Sequence, residues 1–279
     1  MASIFPPLLI GLAVVLLYWP LSALVNYPAA QEALTRGTLG CTSIWACLNS
    51  LPSPLLPAPR QLVQGLWAGL WPFWAPNSLA YNAFYTGLET MVGLLIALAV
   101  GIGTALALTA SRGFRQAALP WIVASQTVPV IALAPMLVVV LGQYGVLGWL
   151  PKAIVAAYLA YFPLAIGLSK GLASPEPLAL DLFRTYHASP AQIYLRLRLP
   201  AARPYLEDAL KVAVAAALVG AIVGEVSSIS FVGLGKLLAE NSRASNVVGT
   251  WVLLLASAGL GIVLVQLVSL PRRLASWAR

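Results

Sequence analysis

A helix needs about twenty apolar residues to cross a bilayer, and six stretches of this chain meet that length, at roughly 5–25, 84–110, 118–142, 147–169, 206–228 and 247–269. A soluble domain carries about 25% charged residues, whereas only 9% of these are charged and 60% are hydrophobic. Such a chain cannot cover its surface with polar groups, so lipid is its solvent. The expected fold class is all-α, a polytopic membrane protein with about six transmembrane helices.

The net charge of +8 does not point to nucleic acid, because the basic residues sit in short connections between the apolar runs. Their distribution sets an orientation. Arg112, Arg115, Lys170, Arg184, Arg196, Arg198, Arg203, Lys211, Arg272, Arg273 and Arg279 fall on one side, and Arg36, Arg60, Lys152, Lys236 and Arg243 on the other. That division, 11 against 5, makes the first side cytoplasmic by the positive-inside rule, with both termini there. Cys41 and Cys47 then face outward, where they form a disulfide or remain two free thiols. With one distant histidine they cannot complete a zinc site, and no metal ligands are expected.

Residues 1–79 divide into an anchor span, a Pro-rich outer segment and a short helix in "RQLVQGLWAGLWPFW". The start of the first run lacks Lys and Arg, so a retained span is expected rather than a cleaved signal peptide. Trp67, Trp71 and Trp74 share a helical face until Pro72, as in an interfacial anchor. Residues 80–279 carry the other spans and one long connection, 170–205. Gly101, Gly103, Gly220, Gly224, Gly259 and Gly261 read as small residues that let helices approach.

Local signals in that connection describe two short helices. Ser174-Pro175-Glu176 fits a helix start with Ser as cap and Pro at the first position. Ser189-Pro190-Ala191-Gln192 fits a capping box, and Pro200 and Pro204 are expected to close the second helix. His187, the only histidine, stands in the turn between them, and His tolerates positive φ.

In "DLFRTYHASPAQIYLRLRLP" the chain resembles the membrane subunits of bacterial binding-protein-dependent ABC importers, whose loop reads E-A-A, three residues, Gly, nine residues, I-x-L-P. Asp181 takes the Glu place, Leu182 and Phe183 the Ala places, and His187 the Gly place, while Leu197, Leu199 and Pro200 keep the closing spacing. The resemblance implies that Asp181, Leu182, Phe183, Arg184, His187, Ala188, Ser189, Leu197, Leu199 and Pro200 belong to a coupling loop that docks into an ATP-binding subunit. "LPWIVASQTVPVIALAPMLVVVLG", "LPKAIVAAYLAYFPLAIGLSKGL" and "GAIVGE" followed by "GLGKLL" look like the nitrate/sulfonate/taurine branch. Gln126-Thr127-Val128-Pro129 and "DLFR" lean toward permeases for hydroxymethylpyrimidine, a thiamine precursor. The implied fold is the type I importer permease, in the bacterial inner membrane. The implied partners are the ATP-binding subunit, a periplasmic or lipid-anchored substrate-binding protein, and a second permease copy, identical or paralogous.

No phosphate loop, H-E-x-x-H or nucleophile elbow occurs, so ATP must be bound by a partner and the chain is expected to need no cofactor. Charges inside spans are functional candidates. Glu89 and Glu225 either hold a substrate or lie solvated at the membrane interface. Gln126, Thr127, Pro129 and Glu225 are the expected path-lining residues, with interhelical packing as the other reading of the two polar ones. A secondary transporter would show intramembrane ion-coupling carboxylates or inverted repeats, and neither is evident.

Overall fold

The computed structural model describes residues 5–227 and 232–277, the side chains of 5–10, 12, 14, 15 and 270–277 excepted. The described residues form α-helices and one π-helical turn, with no strand among them. In order these are α1 (Phe5–Arg36), α2 (Ile44–Ser50), α3 (Pro59–Leu70), α4 (Leu79–Ala110), α5 (Arg112–Ser125), α6 (Val130–Gln143), α7 (Leu150–Leu172), α8 (Pro177–Thr185), α9 (Pro190–Ile193), the π turn (Tyr194–Arg198), α10 (Leu199–Ser227), α11 (Leu234–Arg243) and α12 (Val247–Trp277).

Four stretches are long and apolar enough to cross a membrane: Leu79–Ala110, Leu150–Leu172, Pro190–Ser227 and Val247–Ser269. The third expected run is not one straight helix. It breaks into α5 and α6, bent by 98° at residues 126–129. Proline explains the break, since Pro129 has no N–H to give the preceding turn and disfavours helix in the residue before it. The first expected span falls on α1, part of whose side chains lie outside the described residues, as does Arg279.

The chain divides into two compact units, Met1–Asn82 with Leu237–Ser257 and Ala83–Lys236 with Ala258–Arg279. In the first, Cys41 and Cys47 form a disulfide, which resolves the two alternatives left by the sequence. Trp19 of α1 stacks on Trp45 of α2 with centroids 5.7 Å apart. The Pro-rich segment has few backbone partners of its own and is held by side chains of α1. Tyr18 Oη donates to Pro57 O (2.8 Å), Ser22 Oγ to Leu56 O (2.8 Å), and Leu55 N–H to Asn26 Oδ1 (2.8 Å). Helix α3 ends at Leu70, because Trp71 precedes Pro72 and takes an extended φ of −111°. The three tryptophans therefore do not form one helical stripe, although Trp67, Trp71 and Trp74 are all exposed.

In the second unit α7 packs most extensively on α10. Glycines bring these backbones together: a Cβ on Gly220 would stand 2.7 Å from Ala156 Cα, and one on Gly171 2.9 Å from Ala202 Cα. Helix α4 approaches α7 in the same way, since a Cβ on Gly93 would stand 2.6 Å from Ala153 O. Gly101, Gly224 and Gly261 also meet neighbours at short range, but Gly103 and Gly259 face open space, so the close-approach reading fails at those two. Leu94, Ala97, Ala156, Ala160, Leu164, Ala213, Val214 and Ala217 form the core between these helices. Each small side chain keeps the helices near enough for continuous van der Waals contact, which drives association where lipid is the solvent.

The long connection departs from expectation at both ends. Helix α8 starts two residues late, with Pro177 in its first turn and Glu176 as an N-cap that makes no side-chain bond. Ser174 does not cap it; its Oγ donates back to Gly171 O (2.8 Å). At the far end Pro200 and Pro204 do not close a helix. Residues Pro190–Ser227 form one helical stretch, because the π turn just before Pro200 widens the backbone where the pyrrolidine ring would otherwise strike a carbonyl.

Candidate functional site

The long connection between α7 and α10 is built from two caps. Ser189 N–H donates to Gln192 Oε1 (2.8 Å) and Gln192 N–H donates to Ser189 Oγ (3.3 Å), the expected reciprocal box. His187 has φ 51°. Its N–H donates to Arg184 O (2.9 Å), and Ala188 N–H donates to Phe183 O (3.0 Å). These two bonds with one left-handed residue are the Schellman ending of α8, in which glycine is the usual occupant. The imidazole takes no part in it.

Leu182, Phe183, Tyr186, Ala188, Gln192 and Arg196 line one groove on this loop. Leu182 is 54% exposed and Tyr186 79%, so the groove offers apolar surface to a partner. Asp181 pairs with Arg184 at 3.0 Å, with both side chains open to solvent, so that contact adds little stability. Leu197 lies in the π turn, and Leu199 and Pro200 begin α10; none of the three lines the groove.

Gln126, Thr127, Val128 and Pro129 are all exposed at the break between α5 and α6. Thr127 Oγ1 donates to Ala124 O (2.8 Å), and the Tyr158 hydroxyl of α7 donates to Ser125 O. The break thus presents an amide and a hydroxyl side chain among apolar helices.

Glu89 and Glu225 are not solvated at an interface: they are 0% and 1% exposed. Lys152 Nζ lies 2.6 Å from Glu89 Oε1, and its side chain is 5% exposed. Glu89 and Glu225 are themselves electrostatic neighbours. Thr86 Oγ1 donates to Glu225 Oε1 (2.7 Å), Gly235 N–H donates to Glu225 Oε2 (2.6 Å), and Leu234 N–H donates to Thr86 Oγ1 (2.8 Å). Glu225 and Thr86 thereby satisfy the first two amides of α11, Gly235 and Leu234 respectively, which have no intrahelical acceptor. Gly233, at φ 120°, is required beside it, since a Cβ there would stand 2.2 Å from the Glu225 carboxylate.

Sequence reasoning placed Lys152 in a connection and left out Thr86. The available signal was a pair of opposite charges, Glu89 and Lys152, each embedded in an apolar run, because charges inside a membrane occur in pairs.

Residues 97–273 match the family described as binding-protein-dependent transport system inner membrane component. A probable ABC transporter permease protein of Haemophilus influenzae is 35% identical over 198 residues, 70% of this chain and 76% of that protein. The formylaminopyrimidine transport permease protein ThiX of Halalkalibacterium halodurans is 34% identical over 176 residues, 61% of this chain and 65% of that one. The taurine transport system permease protein TauC of Escherichia coli is 27% identical over 269 residues, 93% and 92% of the two chains. Among solved structures, a chain of the MetNI methionine ABC transporter in inward-facing conformations superposes with a TM-score of 0.51 at 18% identity, covering 68% of this chain and 95% of that one. That likeness carries the importer permease fold. With helices long and apolar enough to cross a membrane, the match over 97–273 decides the matter: the chain belongs to the binding-protein-dependent inner membrane components, as the multi-pass, non-catalytic permease subunit of an ABC importer that works with an ATPase and a substrate-binding protein.

Proposed function

We propose that this permease forms the path for a small hydrophilic nutrient, a pyrimidine-type thiamine precursor or related heterocycle, and that Gln126, Thr127 and Pro129 line that path. The observation that carries the reading is the exposed break at 126–129 between helices bent by 98°. The exposed Gln126 amide and Thr127 hydroxyl there offer donors and acceptors suited to a flat heterocycle. Glu225, expected among the lining residues, is left out of the lining, because it is buried and both its carboxylate oxygens are already engaged. The 34% identity to a formylaminopyrimidine permease supports the substrate class. A second reading, taurine or a related sulfonate or nitrate, draws on the similarity to TauC across 93% of the chain. Two copies of the chain, or this chain and a paralogue, would enclose the path, with Asp181, Leu182, Phe183, Arg184, His187, Ala188 and Ser189 docked on the ATPases.

Uptake of radiolabelled formylaminopyrimidine and of taurine into cells with and without the gene separates the two readings. Loss of formylaminopyrimidine uptake alone is the expected result, and loss of taurine uptake alone favours the second. Gln126→Ala should weaken uptake while leaving the assembled complex intact.

The orientation has its own test. With both termini cytoplasmic, Cys41 and Cys47 face outward and, after reduction of their disulfide, should react with a membrane-impermeant thiol reagent in intact spheroplasts. Reaction only after membrane disruption reverses the assignment.

A further inference from the structure

We propose that Tyr194 and Arg198 are positioning residues that set the angle between the docking loop and span α10, through the π turn they bracket. This rests on the reading of residues 181–200 as the surface that meets the ATPase.

The helical stretch Pro190–Ser227 is continuous, so a displacement of α9 reaches the span only through residues 194–198. That segment is the weakest part of the stretch. Leu199 N–H donates to Tyr194 O, five residues back, which places one residue more in the turn than an α-helix holds. Pro200 and Pro204 follow, and each removes a further amide from the ladder. Inside the turn the Arg198 guanidinium lies 5.0 Å from the centroid of the Tyr194 ring, a stacking contact that favours this arrangement.

Tyr194 Oη and Arg198 Nε are nonetheless shielded from solvent with no hydrogen-bond partner among the described residues. A shielded polar group without a partner is disfavoured. Stacking therefore stabilises the widened turn, while the two unpaired groups favour any rearrangement that gives them partners. A turn with two such competing arrangements is the kind of bistable element that converts a docking motion into a span motion.

The test uses the permease assembled with its ATPase. Spin labels are attached through Ala191→Cys and Val212→Cys, exposed positions on either side of the turn, the native cysteines being bonded to each other. Distances are read without nucleotide and after trapping with ATP and vanadate. Recoiling the turn by one residue rotates its flanks by about 100°, which moves labels on a helix about 10 Å wide by several ångströms. The expected result is a shift of that size between the two states, reduced to one common distance when Leu195 is deleted to restore an α-helical turn. Tyr194→Phe should change the balance of the two populations. Identical distances in both states of the parent complex would overturn the proposal, even if the deletion variant fails to assemble. A Tyr194→Phe complex with the parent's populations would remove Tyr194 from it. Leu182→Asp reports separately on the docking reading: if the ATPase still assembles with that variant, the docking surface is misassigned, whatever the distances show.

Discussion

Lys152→Met should leave little permease in the membrane and lower the melting temperature of whatever can be purified. The substitution preserves the length and apolar stem of the side chain, so packing against Gly224 is retained. It removes the ammonium 2.6 Å from Glu89 Oε1 and leaves a carboxyl of 0% exposure without its cation. Breaking a buried pair in this way costs about 3–5 kcal/mol, which is a large part of a typical folding free energy. Glu89→Gln should be milder, because Lys152 still has Glu225 within its electrostatic reach. The double variant Lys152→Met/Glu89→Gln should recover part of the loss, since it removes the buried Glu89 charge and leaves Glu225 held by Thr86 and Gly235. Membrane abundance and detergent melting curves of the three variants decide the point. Equal abundance and melting of Lys152→Met and the parent would show that the ion pair contributes nothing.

A charge placed on the docking loop should separate the permease from its ATPase. Leu182 is exposed and lines the groove beside Phe183 and Tyr186, and on the docking proposal the ATPase dehydrates it. Leu182→Asp or Phe183→Asp then buries an unpaired carboxylate, and an interfacial penalty of about 3 kcal/mol weakens association on the order of a hundredfold. Co-purification of the two subunits and ATP hydrolysis stimulated by the binding protein are the measurements. His187 supplies the internal control. His187→Gly keeps the Schellman ending and should leave both readouts unchanged, whereas His187→Ile puts a β-branched side chain at φ 51° and should reduce both. Loss of stimulated hydrolysis in His187→Gly, with the complex still assembled, would give the imidazole a chemical role.

The signals that were legible in the sequence are local ones. Ser189 and Gln192 announce their cap by spacing alone, and His187 declares a left-handed turn by standing where a glycine belongs. Apolar run length located four of the six expected spans as single helices among the described residues, because burial in lipid depends on composition over about twenty residues. What composition cannot register is a partner brought from another helix. Hydropathy counts Lys152 as a basic residue near the start of a run, yet the fold carries it against Glu89, sixty-odd positions away in the chain. The same holds for Thr86, an unremarked hydroxyl until Glu225 and Leu234 reach it. Prolines misled for a related reason: Pro200 ends a helix only if the preceding turn is α-helical, and the π turn removes that condition.

The seam between α7 and α10 constrains how any of this can move. Backbone meets backbone near one end, at Gly171 and Ala202, and again toward the other, at Gly220 and Ala156. Two helices pinned at both ends cannot scissor about a crossing point, because opening one end would drive main-chain atoms together at the other. Between those two contacts, buried Leu164, Val214 and Leu218 pack in one core with the small residues of both helices and tie the pair together along its length. The pair therefore behaves as a single stiff plank, and deformation during transport is displaced to its margins: to the turn at 194–198, where the plank meets the loop, and to the break at 126–129, where a shorter helix leans on it through Tyr158.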